Sequence, residues 1–100
     1  MKDEIMVYVK KKKLFLYVAE GTGDNLWQED MDEGYVDYLY IEVYKMDGTE
    51  MFEVDGGELL LKEYVKDRYA DDDGTRMIQD AAKFIWDMEI RYDDYVIIDN

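Results

Sequence analysis

A chain of 100 residues with 48% hydrophobic and 15% aromatic content is too apolar for intrinsic disorder. A domain of this size buries roughly 65% of the surface its unfolded chain exposes. The formal charge of −14, from 26 acidic and 12 basic residues, disfavours nucleic acid and anionic lipid as direct partners, and the lack of cysteine excludes disulfides and thiolate metal sites.

The charge is unevenly spread. Residues 1–13 hold five lysines against Asp3 and Glu4, residues 14–61 hold thirteen acids against the single base Lys45, and residues 62–100 hold eleven acids and six bases. A surface built from the middle segment attracts basic proteins with fast, salt-sensitive association. High net charge also keeps a small protein soluble without any partner, and both readings stand at this point. No apolar run reaches the length of a membrane span, and Met1 to Lys13 lacks the order of a signal peptide. A single domain, 1–100, in the cytoplasm is expected.

In chain order, Ile5, Val7 and Val9 alternate with Met6, Tyr8 and Lys10, and Leu14, Leu16 and Val18 alternate with Phe15, Tyr17 and Ala19. These read as two strands joined at Lys10–Lys13 in a tight hairpin, with one long bent strand as the alternative. Lysines at such a tip block edge pairing more often than they bind phosphate. Glu20 to Asn25 is a loop: Leu26 stands where the third glycine of a phosphate-binding loop would be, and no P-loop lysine follows. Asp24 or Asn25 is the expected cap of a short helical turn through Leu26, Trp27 and Met31, ending at Gly34.

Tyr35 to Tyr44 is the clearest strand, expected to be central and antiparallel. Leu39, Ile41 and Val43 point one way; Tyr38, Tyr40, Glu42 and Tyr44 point the other. Asp47-Gly48 predicts a hairpin into a strand over 50–54, and Asp55-Gly56-Gly57 a second turn. Leu59 to Tyr69 is ambiguous between a helical stripe and a short strand passing into a helical turn, the second being preferred. Thr75 is the expected N-cap of a helix over about 75–88. Its apolar face carries Met77, Ile78, Ala81, Phe84, Ile85 and Met88, with Gln79, Asp80, Lys83 and Asp87 opposite. Tyr95 to Ile98 closes the chain as an interior strand, since both its faces are apolar. The fold class is therefore α+β: an antiparallel sheet of about four to five strands with one main C-terminal helix packed on one face.

The chain contains no His, Cys, Ser or Pro, which removes nucleophilic catalysis by Ser–His or Cys–His and the usual zinc, haem and iron–sulfur ligands. Among 26 acids some pair always resembles a glycosidase dyad, so that signal is empty and no catalytic residue is assigned. Asp71, Asp73, Gly74 and Asp80 approximate an EF-hand loop that starts at Tyr69, but tyrosine cannot supply the first carboxylate and Asp80 replaces the bidentate glutamate. A capped helix start behind a solvated acidic turn explains the same residues, and neither metal nor cofactor is expected. Tyr8, Tyr17, Tyr38, Tyr40 and Tyr44 can share one sheet face with Phe15 beside them. Such a face serves an interface, or lies half-buried beneath the loop 20–34 with Trp27 as a lid.

Gly34-Tyr35-Val36-Asp37-Tyr38 and Val54-Asp55-Gly56-Gly57 resemble a pattern in small acidic proteins of unassigned function carried by conjugative and other mobile elements of anaerobic Gram-positive bacteria. The resemblance covers about the first sixty residues and implies a bacterial, mobile-element setting, where small acidic DNA mimics often disarm restriction or CRISPR nucleases. It supplies no catalytic residues.

The expected function is a non-enzymatic binding protein that presents an anionic, tyrosine-rich surface to a basic, nucleic-acid-handling protein, in its specific form a DNA mimic of the anti-restriction or anti-CRISPR type. The contact residues would be Glu29, Asp30, Asp32, Glu33, Asp37 and Glu42, with Tyr38 and Tyr40 as aromatic anchors. The alternative is a small accessory or structural interaction module, homodimeric through the tyrosine face.

Overall fold

The computed structural model describes residues 4–21, 36, 38–61, 68–69 and 73–99, the Asp99 side chain excepted. The two alternating segments near the start form the expected hairpin. β1 (Glu4–Val9) and β2 (Leu14–Gly21) pair antiparallel from Glu4 opposite Ala19 to Val9 opposite Leu14. Lys10–Lys13 forms the connection, closed by the Lys13 N–H donating to the Val9 carbonyl at 2.8 Å with Lys13 at φ 57°. A four-residue loop does not need the Asn-Gly that a two-residue hairpin turn requires.

β3 (Tyr38–Asp47) and β4 (Glu50–Leu60) form a second, longer hairpin around Gly48, whose φ of 63° suits the turn. After it come α1 (Thr75–Trp86), a 3-10 turn over Tyr92–Asp94, and β5 (Tyr95–Asp99). The strand order is β4-β3-β2-β1-β5, and every neighbouring pair is antiparallel. The fold is α+β, five strands with one helix on one face. The helix is not C-terminal, because β5 follows it and returns alongside β1.

The core lies between that face and α1. Ile5, Val7, Val9, Leu16, Val18, Leu39, Ile41 and Val43 fill the sheet side, and Met77, Ile78, Ala81 and Ala82 fill the helix side. Each fully buried aliphatic side chain contributes about 1.5–3 kcal/mol. Paired alanines let the helix approach closely, and Gly57 on β4 extends that approach, since a Cβ there would lie 3.3 Å from the Phe84 ring.

Several local expectations are corrected. Thr75 is the first helical residue rather than the cap: Gly74 holds the cap position at φ 104°, and the Asp73 carboxylate accepts from the Thr75 N–H at 3.1 Å and its hydroxyl at 2.6 Å. The helix stops at Trp86, not 88, because Asp87 turns left-handed and the Met88 N–H donates to the Ala82 carbonyl. Phe84 is exposed, at the rim of the apolar stripe.

β3 is interior but second from an edge, and β2 is the central strand. β5 is an edge strand rather than an interior one, with Val96, Ile97 and Ile98 exposed. Asp55-Gly56-Gly57 is not a turn; β4 runs through it, with one extra residue, Val54, between the partners of Val43 and Tyr44. Leu59 and Leu60 belong to that strand, while the helical turn expected after Leu61 and the one expected over 26–34 lie outside the described residues.

Gly74 carries two constraints, its positive φ and the Ile5 Cδ1 atom 2.6 Å from where a Cβ would stand. Gly74→Ala should lower the unfolding free energy by about 2–3 kcal/mol. Gly48 also has a positive φ, 63°, nearer the ordinary left-handed value and with open space around it, and Gly48→Ala should cost about 1 kcal/mol. Denaturant midpoints of the two variants check this ranking; equal losses would show that the tighter backbone and the Ile5 contact at Gly74 together add nothing.

Candidate functional site

The pleat that turns aliphatic side chains toward α1 turns a different set outward, and the strand register places that set in rows. One row crosses all five strands: Val96, Tyr8, Phe15, Tyr44 and Glu53. The next holds Met6, Tyr17, Glu42 and Gly56, the next Glu4, Ala19, Tyr40 and Glu58, and the last Gly21, Tyr38 and Leu60. Tyr8, Tyr17, Tyr38, Tyr40 and Tyr44 thus share one face with Phe15, as the alternation predicts. The Tyr8 and Phe15 rings meet at a centroid distance of 5.0 Å.

Carboxylates interleave with these rings. The Tyr17 hydroxyl donates to Glu4 Oε2 at 2.5 Å, a diagonal contact between β2 and β1. Glu42 lies directly opposite Tyr17 and two residues from both Tyr40 and Tyr44. Glu53 stands opposite Tyr44, and Glu58 opposite Tyr40. Among the described strand positions on this face none is lysine or arginine; Lys45 pairs with Phe52 on the other side.

The electrostatics follow this geometry. The hydrogen bond to Glu4, then partial burial, push the Tyr17 phenol up to about 12. The charge of Glu42 above all, with Glu53 and Glu58 adding, raises Tyr40. Partial burial, then the hydrogen bond to Glu42, raises Tyr44. Each hydroxyl stays protonated beside the carboxylates, and no described strand position on the face adds a cation.

Of the residues expected in the site, Glu42, Tyr38 and Tyr40 stand on this face. Tyr40 is 40% exposed, and the Tyr38 ring lies across Gly21, where a Cβ would come within 2.2 Å of it. Glu29, Asp30, Asp32, Glu33 and Asp37 lie outside the described residues, as does the proposed Trp27 lid. The sequence reading missed Glu4, Glu53 and Glu58. Glu53 was recoverable from the hairpin, because a turn at Gly48-Thr49 sets Tyr44 opposite it. Glu58 was not, because an unbroken register would place it against Leu39 on the core side. The extra residue Val54 moves Glu58 onto the tyrosine face and returns Leu59 to the core side opposite Leu39.

The face continues beyond the sheet. Tyr44 is the last β3 residue with a β2 partner, so Lys45–Asp47 and Glu50–Phe52 form a two-stranded arm that overhangs it. Met46 and Met51, paired across this arm on the tyrosine side, are exposed.

Of the calcium-like segment, Asp71 lies outside the described residues, and Asp73 and Asp80 have local partners. Asp73 holds the start of α1, and Asp80, on the helix, accepts from the buried Tyr69 hydroxyl at 2.6 Å. Among the described residues no group of three acidic side chains is placed to hold a metal ion. A shallow depression on the helix side is lined by Gln79, Lys83, Glu89, Ile90 and Arg91, with Lys83 tied to Asp87 at 2.8 Å. No helix among the described residues is long and apolar enough to cross a membrane.

A tyrosine whose folded pKa is raised stabilises the fold below its unfolded value, and that stability is lost as pH rises through the folded value. For Tyr17 the window runs from 10 to about 12. Tyrosinate absorbance should therefore show Tyr17, Tyr40 and Tyr44 ionising late, and Tyr17→Phe should flatten the loss of stability across that window. A native chain whose tyrosines all titrate at the ordinary value would contradict the hydroxyl–carboxylate arrangement.

Comparison with known proteins adds no constraint: no family model matches the chain, and neither does any curated protein or solved structure. What the face does is read from its own residues.

Proposed function

We propose that this is a non-enzymatic binding protein that presents the acidic tyrosine face to a basic protein, and that the partner handles nucleic acid and uses for this contact the surface that otherwise meets phosphates. The observation that carries the proposal is the alternation of Glu4, Glu42, Glu53 and Glu58 with Tyr8, Tyr17, Tyr40 and Tyr44 on a sheet face whose described strand positions hold no lysine or arginine. Carboxylates in rows offer a basic surface the charge pattern of a polyanion, while tyrosine rings supply large contact area at low conformational cost. The resemblance to mobile-element proteins fits a target among bacterial restriction or CRISPR nucleases.

A homodimer through this same face is disfavoured, because it would set one copy's carboxylates against the other's with no cation from the described strand positions between them. The segment 29–33 and Asp37 belong to the same proposal as a further source of anionic contacts.

Capture from a nuclease-treated bacterial lysate tests it, with the native chain compared against Glu42→Lys/Glu53→Lys/Glu58→Lys. The native chain should retain a basic, nucleic-acid-handling protein that salt or added duplex DNA elutes, and the variant should lose it while melting at about the same temperature, since surface substitutions usually stay within about 0.5 kcal/mol. Retention of the same protein by both chains, or only of salt-resistant neutral proteins, would refute the proposal.

A further inference from the structure

The arrangement around Glu42 also discriminates between cations, and we propose that the groups this face receives are arginine side chains of the partner, presented on an exposed segment. Glu42 meets the guanidinium, and the rings of Tyr17, Tyr40 and Tyr44 flank it. This inference rests on the proposed function and narrows the partner from a basic surface to an arginine-bearing one.

The argument starts from placement. Glu42 sits directly across from Tyr17 and at two-residue spacing from Tyr40 and Tyr44, all on the outward side. Directly opposite residues have Cβ atoms about 4.5–5.5 Å apart, and second neighbours along a strand are about 7 Å apart. A cation seated on the Glu42 carboxylate therefore has the Tyr17, Tyr40 and Tyr44 rings as its neighbours on the face, and a cation–π contact needs one of their centroids within about 6 Å. Glu53 opposite Tyr44 and Glu58 opposite Tyr40 repeat the pairing of ring and carboxylate on the neighbouring strand. Tyr40 and Tyr44 stand beside Glu42 with their phenols neutral, so they leave its charge in place.

The site is exposed, Tyr40 at 40%, so water competes for any cation. An ammonium is a compact, strongly hydrated charge and gains little from an exposed ion pair. A guanidinium is planar and weakly hydrated, stacks on phenol rings, and donates in a fork that matches a carboxylate. The same fork suits phosphate, so a protein that grips a nucleic-acid backbone through arginine carries the complementary groups.

The test is calorimetric titration of the full chain with two peptides of equal length and charge, one alternating arginine and glycine, the other lysine and glycine, at low and high salt. The arginine peptide should bind about tenfold tighter, because a guanidinium both stacks on the flanking rings and forks onto Glu42. Tyr40→Leu/Tyr44→Leu should bring the two peptides to near-equal affinity while salt-sensitive binding persists. Glu42→Gln, which keeps the shape, should weaken the arginine peptide more than the lysine peptide. Equal affinities in the native chain would overturn the arginine inference and leave the basic-partner proposal standing. Binding of neither peptide at low salt would overturn both. An arginine preference that survives the tyrosine pair would remove the site from this face. If the tyrosine variant melts early, Glu42→Gln decides, and an unchanged arginine-to-lysine ratio there overturns the inference.

Discussion

A sheet has two faces, and the described chain has one helix to cover them. That constraint organises the structure. The aliphatic face of β1, β2 and β3 takes α1 and supplies the buried core, and the pleat sends every alternate residue to a face that no described helix covers. Only side chains that tolerate partial exposure can stand there. Tyrosine fits because its ring covers neighbouring apolar atoms while its hydroxyl stays in contact with water or a carboxylate. The composition of the second face is therefore partly a consequence of the first.

Close approach between layers is achieved by leaving side chains out. Gly57 and the alanine pair of α1 let the helix settle near β4, and Gly74 lets the chain enter the helix against Ile5. The Tyr95 hydroxyl donates to Thr75 Oγ1 at 3.0 Å, and that hydroxyl in turn donates to Asp73, which links the edge strand to the helix start. The Lys10 N–H donates to the Asp94 carbonyl at 3.1 Å, and its Nζ donates to the Asp93 carbonyl at 3.2 Å, so the lysine tip is tied to the chain as it enters β5. Lys12 lies 5.4 Å from the Trp86 ring centroid, joining the same tip to the end of the helix.

The acidic charge acts on two scales. Over the whole molecule it favours dispersal and opposes self-association. On the tyrosine face it is organised, with the Tyr17 hydroxyl donating to Glu4 and with Glu42 standing among Tyr17, Tyr40 and Tyr44. A neutral donor holds Glu4 in place, and no described strand position on this face supplies a cation.

Alternation within β1, β2 and β3 determined from sequence alone which residues face the core and that Tyr8, Tyr17, Tyr38, Tyr40 and Tyr44 share the other side, because a strand's period of two is local. The helix over Met77 to Ala82 was legible for the same reason, its apolar stripe recurring at helical spacing. The order of strands was not local. Tyr95 to Ile98 reads as interior by its apolar content, yet among the described strands it pairs only with β1, because sheet position depends on where α1 delivers the chain. Nor could Glu58 be assigned. Asp55-Gly56-Gly57 has the composition of a turn, and only packing of Leu59 against the core and of Gly57 beneath Phe84 selects a continuous strand with Val54 bulged out. That one extra residue decides which carboxylates stand among the tyrosines, and tertiary packing sets it.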